Sequence, residues 1–88
     1  MKVESGELKV YPNPTIENVT VQLNIQQTGD AIFTLYNLLG QPVYTDMTNE
    51  PQGTVSKQIP LASLPNGDYI LQVTAGNDVY HAKITKLQ

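Results

Sequence analysis

Few side chains in this sequence are suited to acid–base or nucleophilic chemistry. The 88 residues include one histidine, His81, and no cysteine. A catalytic serine needs a histidine and a carboxylate within reach, and no Gly-x-Ser-x-Gly turn is present to expose such a serine. His81 alternates with apolar neighbours, which predicts a position on the outer face of a strand. We therefore expect a protein that is not an enzyme and has no catalytic residues.

The acidic residues are poorly spaced for a metal ion. Calcium takes about six to eight oxygen ligands, which usually come from one loop. Here four aspartates lie in or near separate turns, where such residues usually bond the local backbone. Thiolate zinc sites are excluded because cysteine is absent. The sequence therefore predicts no metal and no cofactor. The four aspartates are Asp30, Asp46, Asp68 and Asp78.

The charge balance excludes nucleic acid as a partner. Five lysines and no arginine stand against eight acidic residues, which gives a net charge of −3. A surface that follows phosphates needs a dense basic patch instead. The charge is also uneven, because residues 17–50 hold four acids and no lysine, whereas residues 81–88 hold Lys83 and Lys86 and no acid. We expect the last strand to be basic on its outer face.

The elements that position these residues are β-strands. Apolar and polar residues alternate in three segments, which is typical of strands with one buried face. The apolar run of residues 31–36 predicts a strand inside a sheet, and the more polar residues 43–48 and 54–59 predict strands near an edge. The alternating segments are residues 19–25, 69–75 and 80–84, and a short opening strand covers residues 8–11.

The fold class follows from this pattern. No window repeats apolar residues at helical spacing, so we predict an all-β, seven-strand immunoglobulin-like β-sandwich. Residues 8–88 form a single domain, and residues 1–7 have the composition of a linker remnant. The predicted core consists of Val19, Val21, Leu23, Phe33, Leu35, Leu71, Val73 and Ile84.

Two segments interrupt the alternation. In Tyr11-Pro12-Asn13-Pro14 neither proline can donate a ladder hydrogen bond, so the first strand must end there and the chain must cross over. In residues 61–69, Leu61 and Leu64 suit one short helical turn that fills the end of the sandwich. Tyr69 follows a tight turn at Pro65-Asn66-Gly67, which resembles the tyrosine corner of immunoglobulin-like domains.

Two adjacent leucines, Leu38 and Leu39, lie in a turn that ends at Gly40. In one interpretation one of them covers the end of the sandwich while the other is exposed and marks a contact point. In the other interpretation both fold over the end of the sandwich. The sequence leaves both open.

The order and spacing of these features resemble one family, the type A C-terminal sorting domain of cargo proteins of the type IX (Por) secretion system. The resemblance covers residues 8–88. It departs from many members at Thr85, where an apolar β-branched residue is usual. The matching residues are Tyr11, Pro12, Asn13, Pro14, Val19, Val21, Tyr36, Asn37, Gly40, Val43, Leu61, Leu64, Gly67, Tyr69, Leu71, Val73, Lys83 and Ile84.

The resemblance implies a secretion signal. Such a domain follows a cargo domain at the C-terminus of an exported protein and is recognised by the outer-membrane translocon. A sortase-like peptidase then removes it, here near residues 4–8, and joins the cargo to a lipopolysaccharide. The protein would cross the periplasm and reach the cell surface or the medium. Much of the signal would lie in residues 67–88, where we single out Lys83, Ile84 and Lys86.

Two further expectations concern partners. A last strand at a sheet edge would accept a partner by strand addition, and the same edge permits a strand-exchanged dimer of the isolated domain. The alternative function is a carbohydrate-binding or adhesion module of a secreted protein, which needs exposed aromatic residues. Tryptophan is absent, and the pattern assigns Tyr69 and Tyr80 to the core, which leaves Tyr11, Tyr36 and Tyr44.

Overall fold

Each alternating segment of the sequence forms a β-strand in the computed structural model, which describes residues 2–3, 8–26, 28–76 and 78–87. Within these ranges the seven predicted strands are present and no helix occurs, and a two-residue strand precedes the seven. In chain order the strands are β1 (Lys2–Val3), β2 (Lys9–Tyr11), β3 (Asn18–Ile25), β4 (Gly29–Asn37), β5 (Pro42–Glu50), β6 (Gly53–Pro60), β7 (Gly67–Ala75) and β8 (Asp78–Lys86).

The strands form two facing sheets, which confirms the predicted all-β sandwich. The larger sheet has the order β1-β8-β7-β4-β5, and the smaller sheet has the order β2-β3-β6. Paired strands are antiparallel, except that β1 runs parallel to β8. Consecutive strands often lie in different sheets, which is typical of immunoglobulin-like sandwiches. None of the described residues belongs to a helix long and apolar enough to cross a bilayer.

The core lies between the two sheets, where the two-residue period places one face of every long strand. All eight predicted core residues are at most 1% exposed, so the predicted core is confirmed. Further buried residues complete the packing from the first strand to the last. They are Leu8, Ile25, Ala31, Val55, Ile59, Leu61, Tyr69 and Tyr80.

β5 and β6 are edge strands of different sheets, as their polar sequences predict. Lys57 of β6 reaches β5, where its Nζ atom lies 2.6 Å from Oδ2 of Asp46. The same Nζ atom lies 5.6 Å from the centre of the Phe33 ring in the core. The hydrogen bond and the charge of Lys57 lower the pKa of the Asp46 carboxyl, and that hydrogen bond raises the pKa of Lys57. A charged pair therefore links the two sheets on this side.

The expectation that β8 is a free edge is wrong. Lys2 and Val3 pair with the beginning of β8, and Thr15 forms a parallel bridge with Lys86 at its end. Two residues are too few to show a two-residue period, so the sequence does not predict the pairing of Lys2 and Val3. Of the predicted linker remnant, residues 1 and 4–7 lie outside the described residues.

The hairpin between β7 and β8 has the predicted two-residue turn. Ala75 pairs with Asp78, and Gly76 has a φ of 62°, which lies in the left-handed region that favours glycine. Asn77, the second predicted turn residue, lies outside the described residues.

Truncation of a central core residue should cost a large share of the stability of so small a domain. We expect Leu71→Ala to lower the free energy of unfolding by about 2–5 kcal/mol, because Leu71 is fully buried and the cavity cannot collapse completely. Urea denaturation measures the change, with Ser63→Ala in an exposed turn as the control. A loss below about 1 kcal/mol would contradict the packing described here.

Candidate functional site

The Tyr-Pro-Asn-Pro segment ends β2, as its prolines predict. The chain then passes beside β8 of the larger sheet and returns to the smaller sheet in β3, which pairs with β2. We call residues 12–17 the crossover segment. Its Asn13 side chain makes two hydrogen bonds with the backbone of β8: Nδ2 donates to the Lys83 carbonyl at 2.8 Å, and Oδ1 accepts from the Thr85 amide at 3.0 Å. The amide group thus replaces a paired strand along this part of β8, which explains why asparagine stands between the two prolines.

Thr15 continues the same attachment through its backbone. Its N–H donates to the Thr85 carbonyl at 2.9 Å, and its carbonyl accepts from the Leu87 amide at 2.7 Å. The Thr15 hydroxyl donates to the Asn18 carbonyl and accepts from the Glu17 amide, so the buried side chain fixes the step into β3. Sequence reasoning missed Thr15, because a threonine after a proline has no distinctive spacing.

The tyrosine corner predicted at Tyr69 is confirmed. The Tyr69 hydroxyl donates to the Pro65 carbonyl at 2.5 Å, and the ring is buried. The preceding residues make a single turn, in which the Leu64 amide donates to the Leu61 carbonyl at 3.0 Å. Leu61 is fully buried, and its amide donates to the Glu17 carbonyl of the crossover segment at 3.0 Å. The corner and the crossover segment therefore support each other.

The turn between β4 and β5 is built around Asn37. Its Oδ1 accepts from the amides of Leu39 and Gln41, and its carbonyl accepts from the amide of Gly40, whose φ is 84°. Both sequence interpretations of the leucines are wrong, because Leu38 is 68% exposed and Leu39 is 84% exposed. The hydrogen bonds of the Asn37 side chain are made within the turn and fix its backbone, so neither leucine folds over the core.

The three residues singled out on the last strand have different surroundings. Lys83 faces solvent with 64% of its side chain exposed, and its Nζ atom lies 3.6 Å from Oδ2 of Asp68. Ile84 is fully buried in the core. Lys86 is 6% exposed, so the expectation that it presents its charge outward is wrong. Lys86 lies two residues after Ile84 and so on the same inward face of β8, where the Thr15 bridge lies beside it.

The family-motif residues meet at one end of the sandwich. Register places Asn37 opposite Tyr69, Tyr69 opposite Ile84, and Gly67 opposite Lys86. The bonds of Asn13 bring the crossover segment to the same place, and the Leu61 bond adds the end of β6. We call this region the motif end, and it consists of residues 12–17, 37–41, 61–69 and 83–87.

Apart from Asp68, the side chains considered for chemistry lie outside this region. His81 lies on the outer face of β8, and its Nε2 is 3.1 Å from Oε1 of Gln72. Among the described residues, no three histidine or acidic side chains are grouped to hold a metal ion. Of the tyrosines left for a sugar site, Tyr11 is 46% exposed, and Tyr36 and Tyr44 are half-buried.

Comparison with known proteins identifies the family. Residues 9–86 match the family described as the secretion system C-terminal sorting domain. The ulvan lyase NLR42 of Nonlabens ulvanivorans is 40% identical over 77 residues, which are 85% of this chain and 13% of that relative. The chain thus spans a small part of the length of the relative. It belongs to the family of C-terminal sorting domains, which confirms the resemblance to type IX secretion cargo.

Membership of this family defines the function of the domain. A C-terminal sorting domain is the signal by which the type IX secretion system exports an attached protein to the cell surface or the extracellular space.

Removal of the tyrosine-corner hydroxyl should weaken the motif end. We expect Tyr69→Phe to lower the free energy of unfolding by about 1 kcal/mol, because the Pro65 carbonyl loses its donor. Chemical denaturation measures this change. Tyr11→Phe is the control, since it removes a hydroxyl from a side chain that is 46% exposed. Equal stability of the two variants would contradict a structural role for the Tyr69 hydroxyl.

Proposed function

We propose that the outer-membrane translocon recognises this domain at the motif end and so exports the cargo that precedes it. The observation that carries the proposal is the attachment of Asn13 to Lys83 and Thr85, which are 70 and 72 residues away in sequence. Residues from both ends of the chain thus present one surface. A partner that contacts this surface can distinguish a folded domain from an unfolded one.

Lys83 is the residue on β8 best placed for direct contact with the translocon. Its side chain is largely exposed, and Asp68 is its nearest acidic neighbour, on the adjacent strand. An exposed ion pair of this kind contributes little to stability, so its charge is free to serve recognition. In this proposal Ile84 acts indirectly, by holding β8 in the core, and Lys86 acts by packing beside Thr15.

A sortase-like peptidase is the second proposed partner. We place its cleavage on the N-terminal side of Leu8, because Leu8 is 8% exposed and packs in the core. The domain itself has no catalytic role in this proposal. The cargo domain supplies the activity of the whole protein, and strand exchange between copies stays a prediction.

The Lys83 proposal predicts an export defect without a folding defect. A reporter protein is joined to the N-terminal side of this chain in a host with a type IX system, and surface and periplasmic amounts are compared. We expect Lys83→Ala to shift the reporter toward the periplasm while the free energy of unfolding stays within about 0.5 kcal/mol of the parent. Lys9→Ala is the matched control, because Lys9 is an exposed lysine on the smaller sheet.

Two results would contradict the proposal at different levels. Normal surface display of the Lys83→Ala fusion would show that the Lys83 side chain is not part of the signal. The rest of the motif-end surface would then remain as the proposed recognition site. Normal surface display of a reporter that lacks the whole domain would contradict the sorting function in this chain.

A further inference from the structure

An open groove of about 540 Å³ lies beside the crossover segment. We call it the crossover groove. Its apolar wall combines residues from the beginning and the end of the chain, and polar side chains, including Glu17 and Gln58, complete the lining. The volume is in the range of sites that hold a ligand or several side chains of a partner. The apolar residues are Pro12, Pro14, Ile16 and Leu87.

The wall of the groove exposes large apolar side chains that the core does not need. Ile16 is 60% exposed and Leu87 is 50% exposed. A small soluble domain usually keeps such side chains apart, and a cluster of them marks an interaction site. The backbone on both sides is nevertheless fixed, because Thr15 bonds Thr85 and Leu87 and the Glu17 carbonyl accepts from Leu61. The groove therefore needs little ordering when a partner binds.

The charge at the groove selects the partner. Glu17 is exposed and lines the groove, and none of the described residues forms an ion pair with its carboxylate. An apolar wall next to an unpaired carboxylate is complementary to an apolar side chain that lies next to a lysine or arginine.

We propose that the crossover groove binds an extended segment of the export machinery in which an aliphatic or aromatic side chain neighbours a basic residue. The apolar side chain packs against Ile16 and Leu87, and the basic group pairs with Glu17. This proposal rests on the sorting function and assigns it a second contact surface, separate from the Lys83 side chain. The groove requires both the crossover segment and the end of the chain, because the Thr15 carbonyl accepts a hydrogen bond from the Leu87 amide and so holds Leu87 in place.

The test uses the reporter fusion with two pairs of matched variants. Ile16→Asp is compared with Met47→Asp, since the two parent side chains are 60% and 61% exposed. Glu17→Lys is compared with Glu50→Lys, which makes the same charge change at the end of β5. We expect Ile16→Asp and Glu17→Lys each to lower the ratio of surface to periplasmic reporter about tenfold, as for loss of one important interface contact. Thermal unfolding of each purified domain checks that the variants fold.

The outcomes separate this inference from the sorting function. Normal export of the folded Ile16→Asp and Glu17→Lys fusions, with the parent fusion also exported, overturns the groove and leaves the sorting function intact. Failure of the parent fusion to reach the surface contradicts both the groove proposal and the sorting function. An equal defect in the Met47→Asp and Glu50→Lys controls also overturns the groove, because it would show a general sensitivity to surface charge.

A second measurement tests the chemistry of the partner directly. Amide NMR spectra of the isolated chain are recorded with the peptide Lys-Leu-Lys-Leu-Lys and with Glu-Leu-Glu-Leu-Glu. We expect the basic peptide to shift the amides of Ile16, Glu17 and Leu87 and the acidic peptide to leave them unchanged. No shift with the basic peptide, or equal shifts with both, overturns the proposal. Shifts of the same amides on attachment of the reporter alone would identify the cargo as the occupant and would also overturn it.

Discussion

The motif end depends on the two hydrogen bonds of the Asn13 side chain. A backbone segment that contains two prolines cannot pair with β8 as a regular strand, because neither proline has an N–H group to donate. The Asn13 side chain supplies a donor, with Nδ2 2.8 Å from the Lys83 carbonyl oxygen, and also an acceptor, with Oδ1 3.0 Å from the Thr85 amide nitrogen. Thr15 then resumes backbone pairing with Thr85 and Leu87. The prolines stop the strand, and the asparagine between them joins the two sheets.

This attachment also has a protective consequence. An unpaired terminal strand invites pairing with other chains, which is a hazard for a protein that must cross two compartments. Here β8 is flanked by Lys2–Val3 at one end and by the crossover segment at the other. Family membership implies that the domain must be recognised before the cargo leaves the cell. In the proposals made above, the motif end serves both purposes, because it pairs with part of β8 and still exposes Lys83, Ile16 and Leu87.

The sequence predicted the strands and core because both follow from local patterns. Val19, Phe33 and Leu71 are buried as their alternation requires, and Tyr69 bonds upstream backbone as its distance from Pro65 suggests. The placement of Leu38 and Leu39 could not be predicted, because it depends on one side-chain amide. The inward position of Lys86 follows from the alternation that buries Ile84, and the error was to assign both lysines of β8 to its outer face. No period or spacing marks Thr15 as the residue that pairs with β8.

The most direct test of this account is hydrogen exchange at the Thr85 amide. In Asn13→Ala the backbone amide of Thr85 loses its hydrogen-bond acceptor. We therefore expect the Thr85 amide to exchange faster, while the amides of β3 keep their protection. Asn24→Ala, at an exposed asparagine on β3, should leave Thr85 unchanged. If Thr85 in Asn13→Ala remains as protected as in the parent chain, the Asn13 side chain does not hold the crossover segment to β8 and the account is wrong.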